Sequence, residues 1–248
     1  MRQLNAFPIH LVQVDPANLG TADAAFFAQG ANGLEYCVKS VAKTPSAPAA
    51  ELVCNSLAGL CGLATAQFDI VELPDGTLAF GSVWEGSALK QQQAIQVLMG
   101  KKVGHQVGPN LSRIYAFDLF VHNVDRHLGN YLCVAGRTPG HSVKVYDFSR
   151  AFSANGWPLP NLPMPPSANT VRAFRQLRRF HAFDLTGVQE FLVKVDAIPF
   201  SAFKSIIDDI PPNWMSAELQ KKVVKWWADE HSDRITKILA GLKNGSLL

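Results

Sequence analysis

The chain has 248 residues and a net charge of +3, from 23 Lys and Arg against 20 Asp and Glu. Apolar residues make up 48% and charged residues 17%, which excludes an intrinsically disordered chain and a basic nucleic-acid coat. Four cysteines, Cys37, Cys54, Cys61 and Cys133, lack the C-x-x-C spacing of a zinc site and sit among apolar neighbours, so reduced, buried thiols are expected.

The first eight residues hold no sustained apolar run. The longest apolar span, 52–68, is too short for a membrane and contains Asn55, Ser56, Thr65 and Gln67. A soluble cytoplasmic protein is expected, with no membrane partner and no direct nucleic-acid partner.

Residues 9–14 alternate apolar and polar side chains and read as a strand. Strands at 24–29 and 34–41 flank Gly30-Ala31-Asn32-Gly33, a hairpin turn. A linker rich in Pro, Ser and Ala, 44–49, leads into a helix over 50–63, where Leu52, Val53, Leu57, Leu60 and Cys61 keep helical spacing. A second hairpin pairs 68–71 with 77–83 around Pro74-Asp75-Gly76. After Gly86 helices dominate, at 90–99, 110–121, 169–180, 187–194, 201–207 and 216–242. One more hairpin is expected, 131–134 with 142–146, joined through 136–140. The proline-rich segment 156–167 is expected to be irregular. The fold class is therefore α+β with two lobes in one domain. A small antiparallel β N-lobe carrying one helix spans 1–83, and a larger helical C-lobe spans 84–248. A ligand crevice belongs between them.

One run concentrates polar groups between an apolar helix and an apolar strand: Asn123, Asp125, Arg126, His127 and Asn130. Asp125 and Asn130 keep the D-x-x-x-x-N spacing of phosphotransfer catalytic loops, where Asp accepts a hydroxyl proton and Asn binds a metal. The following hairpin delivers Asp147 at its end, placed to hold a metal that bridges nucleotide phosphates. In the N-lobe, Lys39 stands in a strand of alternating apolar residues, Glu35-Tyr-Cys-Val-Lys-Ser-Val41. An ammonium there needs an anion to offset its desolvation. Phosphate oxygens fit, and Glu51, which opens the next helix, is a further partner. Gly20 and Thr21 precede the next strand and are candidates to cover phosphates. Backbone groups of Val83, Trp84 and Glu85 are candidates to hold an adenine. His127 is expected to order its loop by a hydrogen bond, since magnesium prefers oxygen ligands. Arg172, Arg175, Arg178, Arg179 and His181 form a basic run on one helix. It reads as a solvated face or as a dock for an acidic or RNA-bound substrate.

Several motifs together resemble the HipA-like kinases, bacterial relatives of phosphatidylinositol and protein kinases. They are Asn123-x-Asp-Arg-His-x-x-Asn130, the preceding Phe117-Asp-x-x-Val121, Tyr146-Asp-Phe-Ser149, and the later Ile210-Pro-Pro-x-Trp214 with Arg234-Ile235. The resemblance is to the short, single-domain group and spans roughly 14–242. It implies a two-lobed protein-kinase-like fold and transfer of the ATP γ-phosphate to a protein Ser or Thr, with ATP and Mg2+ as cofactors. In this family the known substrates are aminoacyl-tRNA synthetases. The resemblance makes Asp125 the catalytic Asp, Asn130 and Asp147 the magnesium ligands, and Lys39 the ATP-phosphate lysine. Arg126 and His127 would shape the loop. Phe148-Ser149 stands where protein kinases have Phe-Gly. A lipid or small-molecule kinase of the same fold, or a nucleotide-binding pseudokinase, are the alternatives.

Overall fold

Residue spacing in the first third is strand-like, and a closed barrel results. The computed structural model describes residues 7–15, 26–100, 107–135 and 141–248. The five strands are β1 (Ile9–Asp15), β2 (Phe26–Gly30), β3 (Glu35–Lys39), β4 (Phe68–Glu72) and β5 (Leu78–Val83), in the order β1-β2-β3-β5-β4. Helix α1 (Ala47–Leu60) lies between β3 and β4 in the chain. Antiparallel pairs make up most of the sheet, but β1 joins β4 in parallel, Ile9 opposite Val71. This corrects the expected antiparallel sheet. Closure leaves no edge for a foreign strand, and no local sequence signal announces so distant a pairing.

Alternation along β3 sorts its side chains. Tyr36 and Val38 point into the barrel with Leu11, Ala28, Val71 and Ala79. Cys37 and Lys39 therefore point the other way. The Tyr36 ring fits because Gly81 lies beside it, where a Cβ would come within 2.8 Å of Tyr36 Cδ1. Its hydroxyl donates to Asp69 Oδ2 at 2.9 Å.

Helix α1 begins at Ala47 with Pro48 in its first turn, a position that needs no amide donor. It takes in part of the expected linker, so Glu51 lies past the first turn instead of opening the helix. The helix is apolar nearly all round, which suits burial on several sides.

The remaining elements are α2 (Gln91–Leu98), α3 (Gly108–Phe120), the hairpin β6 (Tyr131–Ala135) and β7 (His141–Val145), α4 (Asn169–Leu177), α5 (Leu185–Asp196), α6 (Phe200–Asp208), α7 (Ala217–Asp229) and α8 (His231–Lys243). The expected helix over 216–242 is two helices, broken at Glu230, whose φ of −131° and ψ of −16° leave the α-region. Trp226 and Trp227 are buried as expected and pack on Phe120. The Arg234 guanidinium donates to Leu119 O at 2.9 Å and Phe120 O at 2.8 Å, satisfying the free carbonyls at the end of α3. Among the described residues no helix is long and apolar enough to cross a membrane.

Candidate active site

The loop after α3 is held by one buried ion pair. Asp118 is the one acid of α3 and is 0% exposed. Arg126 meets it with two bonds, Nε to Oδ2 and Nη2 to Oδ1, both 3.0 Å. Asn123 donates to the same carboxylate at 2.9 Å and accepts the Asp125 amide at 3.2 Å. The remaining arginine nitrogen, Nη1, donates to the carbonyls of Asn130 at 3.1 Å and Asp147 at 3.4 Å, and to that of Tyr146. Burial works against the charge on Arg126, but Asp118 outweighs it and holds the guanidinium charged. One side chain thus fixes the Asp125–Asn130 loop to the end of β7.

Within that loop, Asn130 gives its side-chain NH2 to Asp125 O at 3.1 Å. His127 Nδ1 accepts the Gly129 amide at 3.1 Å, the loop-ordering bond expected of it. Asp125 itself is partly exposed, and its Oδ1 accepts from Asn169 Nδ2 at 2.5 Å, at the start of α4. The Thr170 hydroxyl accepts the Arg126 amide at 2.9 Å and donates to Asn123 O.

Lys39 reaches across from the barrel to this assembly. Its ammonium donates to Asp147 Oδ1 and to Ser149 Oγ, each at 2.7 Å, and to Glu51 Oε1. Glu51 is itself oriented: its Oε1 accepts the Phe148 amide at 2.8 Å, and its Oε2 accepts from Asn55 at 3.0 Å. Ser149 donates to Asp147 Oδ1 at 2.8 Å. Burial alone would discharge Lys39, but the Glu51 and Asp147 charges raise its pKa above the ordinary value. Burial would likewise raise Asp147, yet Lys39 and the Ser149 hydroxyl hold it well below the usual carboxylate range. Asp147 has a φ of +64°, a left-handed backbone that costs a non-glycine residue energy. Cys37 is only partly buried, unlike the other three thiols, and burial raises its pKa to about 11. It is a poor nucleophile.

Five expected site residues from four segments therefore converge: Lys39, Glu51, Asp147, and the loop bearing Asp125 and Asn130. Gly20 and Thr21 lie outside the described residues. Val83, Trp84 and Glu85 form the link from β5 onward. The Val83 amide is donated to Gln67 O at 2.7 Å and the Trp84 amide to Glu35 O at 2.8 Å. The Glu85 carboxylate pairs with Lys144 on β7. The Trp84 ring, 53% exposed, stands edge-on to Phe27 with centroids 5.0 Å apart. Both border a cavity of about 390 Å³ with Gln13, Asp15 and Glu35.

Ser149, Asn55, Asn169 and Thr170 were not assigned these partnerships from sequence. Only Asp118 carried a readable signal, a lone acid between the apolar residues Phe117 and Leu119, the same kind of anomaly that marks Lys39 in its strand.

The donor set suits a hard divalent cation. Asn130 commits its NH2 and leaves Oδ1. Asp147 commits Oδ1 and leaves Oδ2. Among the described residues no group of three His, Cys, Asp or Glu forms a complete metal cage.

The fold is that of a kinase. A search of solved structures finds the crystal structure of a Helicobacter pylori proinflammatory kinase, CtkA, at a TM-score of 0.60 and 14% identity. That match covers 94% of this chain and 97% of the other. No curated protein matches. The family model for HipA-like kinases matches residues 14–247. This chain belongs to the HipA-like kinase family.

Proposed function

We propose that this protein is an ATP- and magnesium-dependent kinase that phosphorylates a Ser or Thr hydroxyl of a protein. The observation that supports this most is the Lys39 ammonium shared by Glu51 and Asp147, with Asp147 tied through Arg126 to the loop bearing Asp125 and Asn130. On this reading residues 1–83 are the nucleotide-covering lobe and 84–248 the substrate lobe.

Lys39 holds phosphate oxygens of the nucleotide, and Glu51 keeps its ammonium aimed. Asp147 Oδ2 and Asn130 Oδ1 would hold the magnesium ion. When bound, magnesium supplies positive charge against the phosphate oxygens. The base would occupy the cavity that Trp84 and Phe27 border. Asp125 would orient the acceptor hydroxyl and take its proton as that oxygen bonds the γ-phosphorus, while the bond from the γ-phosphorus to the β,γ-bridging oxygen breaks and ADP leaves. Asn169 holds the Asp125 carboxylate in its rotamer.

Labelled ATP and a protein extract provide the test. Asp125→Ala and Asp147→Ala should each lower phosphate transfer by about 10³-fold or more, with circular dichroism unchanged. Wild-type activity in both folded variants overturns the assignment. Label appearing only in lipid vesicles moves the acceptor from protein to lipid.

A further inference from the structure

The start of α4 touches the residue that would receive the acceptor hydroxyl, and the rest of that helix presents arginine. Arg172, Arg175, Arg178 and Arg179 are all exposed, while Val171, Ala173, Phe174 and Leu177 are buried. Among the described residues, none of the four arginines pairs with a carboxylate. Arg178 only lies over the Phe174 ring, 5.9 Å from its centroid.

Helix electrostatics explain part of this pattern. A cation near the C-terminus suits the helix dipole, and Arg175 stands in the last turn. Arg172 has no such reason. It is the fourth residue of α4, near the positive end, where the dipole opposes it. Its charge is placed to meet an external anion.

The spacing defines that anion. Arg175 lies six residues beyond Asn169, about 9 Å along the axis at about 1.5 Å per residue. An extended peptide covers that distance in about three residues. We propose that the exposed face of α4 is a docking surface for an acidic peptide segment. Aspartates or glutamates a few residues from the phosphoacceptor would meet Arg172 and Arg175, with Arg179 further out. The proposal deepens the protein-kinase reading and rests on it for the position of the acceptor. A peptide fits this surface better than RNA. The cationic patch is one short helix, and the whole chain carries only +3, too little for an electrostatic track along a nucleic-acid backbone.

Fluorescent peptides with one serine and aspartates on either flank, against the same peptides with asparagines, provide the test. Binding is read by anisotropy and phosphate transfer by label. Wild-type protein should prefer one aspartate peptide by about tenfold, with the preference shrinking as salt rises. Arg172→Glu with Arg175→Glu should bring the aspartate-to-asparagine ratio to one or below. The milder Arg172→Gln with Arg175→Gln guards against misfolding and should bring it towards one. Lys222→Gln with Lys237→Gln, the same change in net charge on α7 and α8, should leave the ratio as in wild type. Equal ratios in wild type and the glutamine pair overturn the docking surface, whether or not phosphate moves. Arginine-dependent binding of a single-stranded RNA oligonucleotide, with no peptide preference, also overturns it. Preferential peptide binding without phosphate transfer to any peptide overturns the kinase reading and leaves the surface standing.

Discussion

The Arg126–Asp118 pair and the Lys39–Glu51–Asp147 group are neighbours, yet they are composed differently. The first is balanced, one cation and one carboxylate, with every arginine nitrogen bonded and both side chains almost fully buried. The second sets one cation against two carboxylates, and the Asp147 side chain keeps 28% of its surface exposed. A balanced, sealed pair fixes geometry. An excess of negative charge beside solvent attracts a further cation. The contrast separates scaffold from site without reference to motif.

The largest effect expected from this comparison is in the sealed pair. Arg126→Met leaves Asp118 buried and unpaired, which should cost about 3–5 kcal/mol. Urea unfolding should show a marginal or unfolded protein. A loss below about 1 kcal/mol would mean that Asp118 finds another partner.

Glu51→Gln probes the unbalanced group. The new amide would face the Asn55 NH2, donor against donor, while Lys39 loses half its counter-charge. A loss of about 1.5–3 kcal/mol is expected, with weaker nucleotide binding by calorimetry. Unchanged affinity would show that Asp147 alone aims the lysine.

Acid should distinguish the unbalanced group from His122, a buried imidazole beside Arg234 at the end of α3. Burial, with Arg234 nearby, lowers the His122 pKa from 6.5 to about 4. Between those values the unfolded chain binds the extra proton, so stability rises with pH across that window. Lowering the pH from 7 to 5 should remove about 2 kcal/mol of stability, and His122→Gln should flatten the slope. Asp147 is lowered too, but its window lies in stronger acid. Its contribution is present above the ordinary carboxylate value of 3.8 and fades only as pH falls below it. Parallel slopes in wild type and His122→Gln would place the acid-sensitive group elsewhere.

The smallest effect belongs to Ser149→Ala, which removes the hydroxyl between Lys39 and Asp147. About 1 kcal/mol of stability should be lost. An unchanged melting temperature would make that hydroxyl dispensable.

Much of this site was legible because its chemistry is local in sequence. Asp125, Arg126, His127 and Asn130 share one loop, and Asp147 follows at the end of a recognisable hairpin. Lys39 stood out as a charge in an apolar strand. The partners that hold these groups were harder to read. Asn55, Asn169 and Thr170 are ordinary polar residues whose roles arise only when distant segments meet. The parallel β1–β4 pairing was hidden for the same reason. Helix α7 and helix α8 read as one because amphipathic spacing continues through Glu230, and only the backbone angle there ends the first.

The guanidinium of Arg234 completes the end of α3 from a segment made more than a hundred positions later. On the ribosome, the stretch containing Asp125 emerges well before the residue that seals the carbonyls ahead of it. Until α8 is made, the loop that bears Asp125 therefore hangs from an unfinished helix.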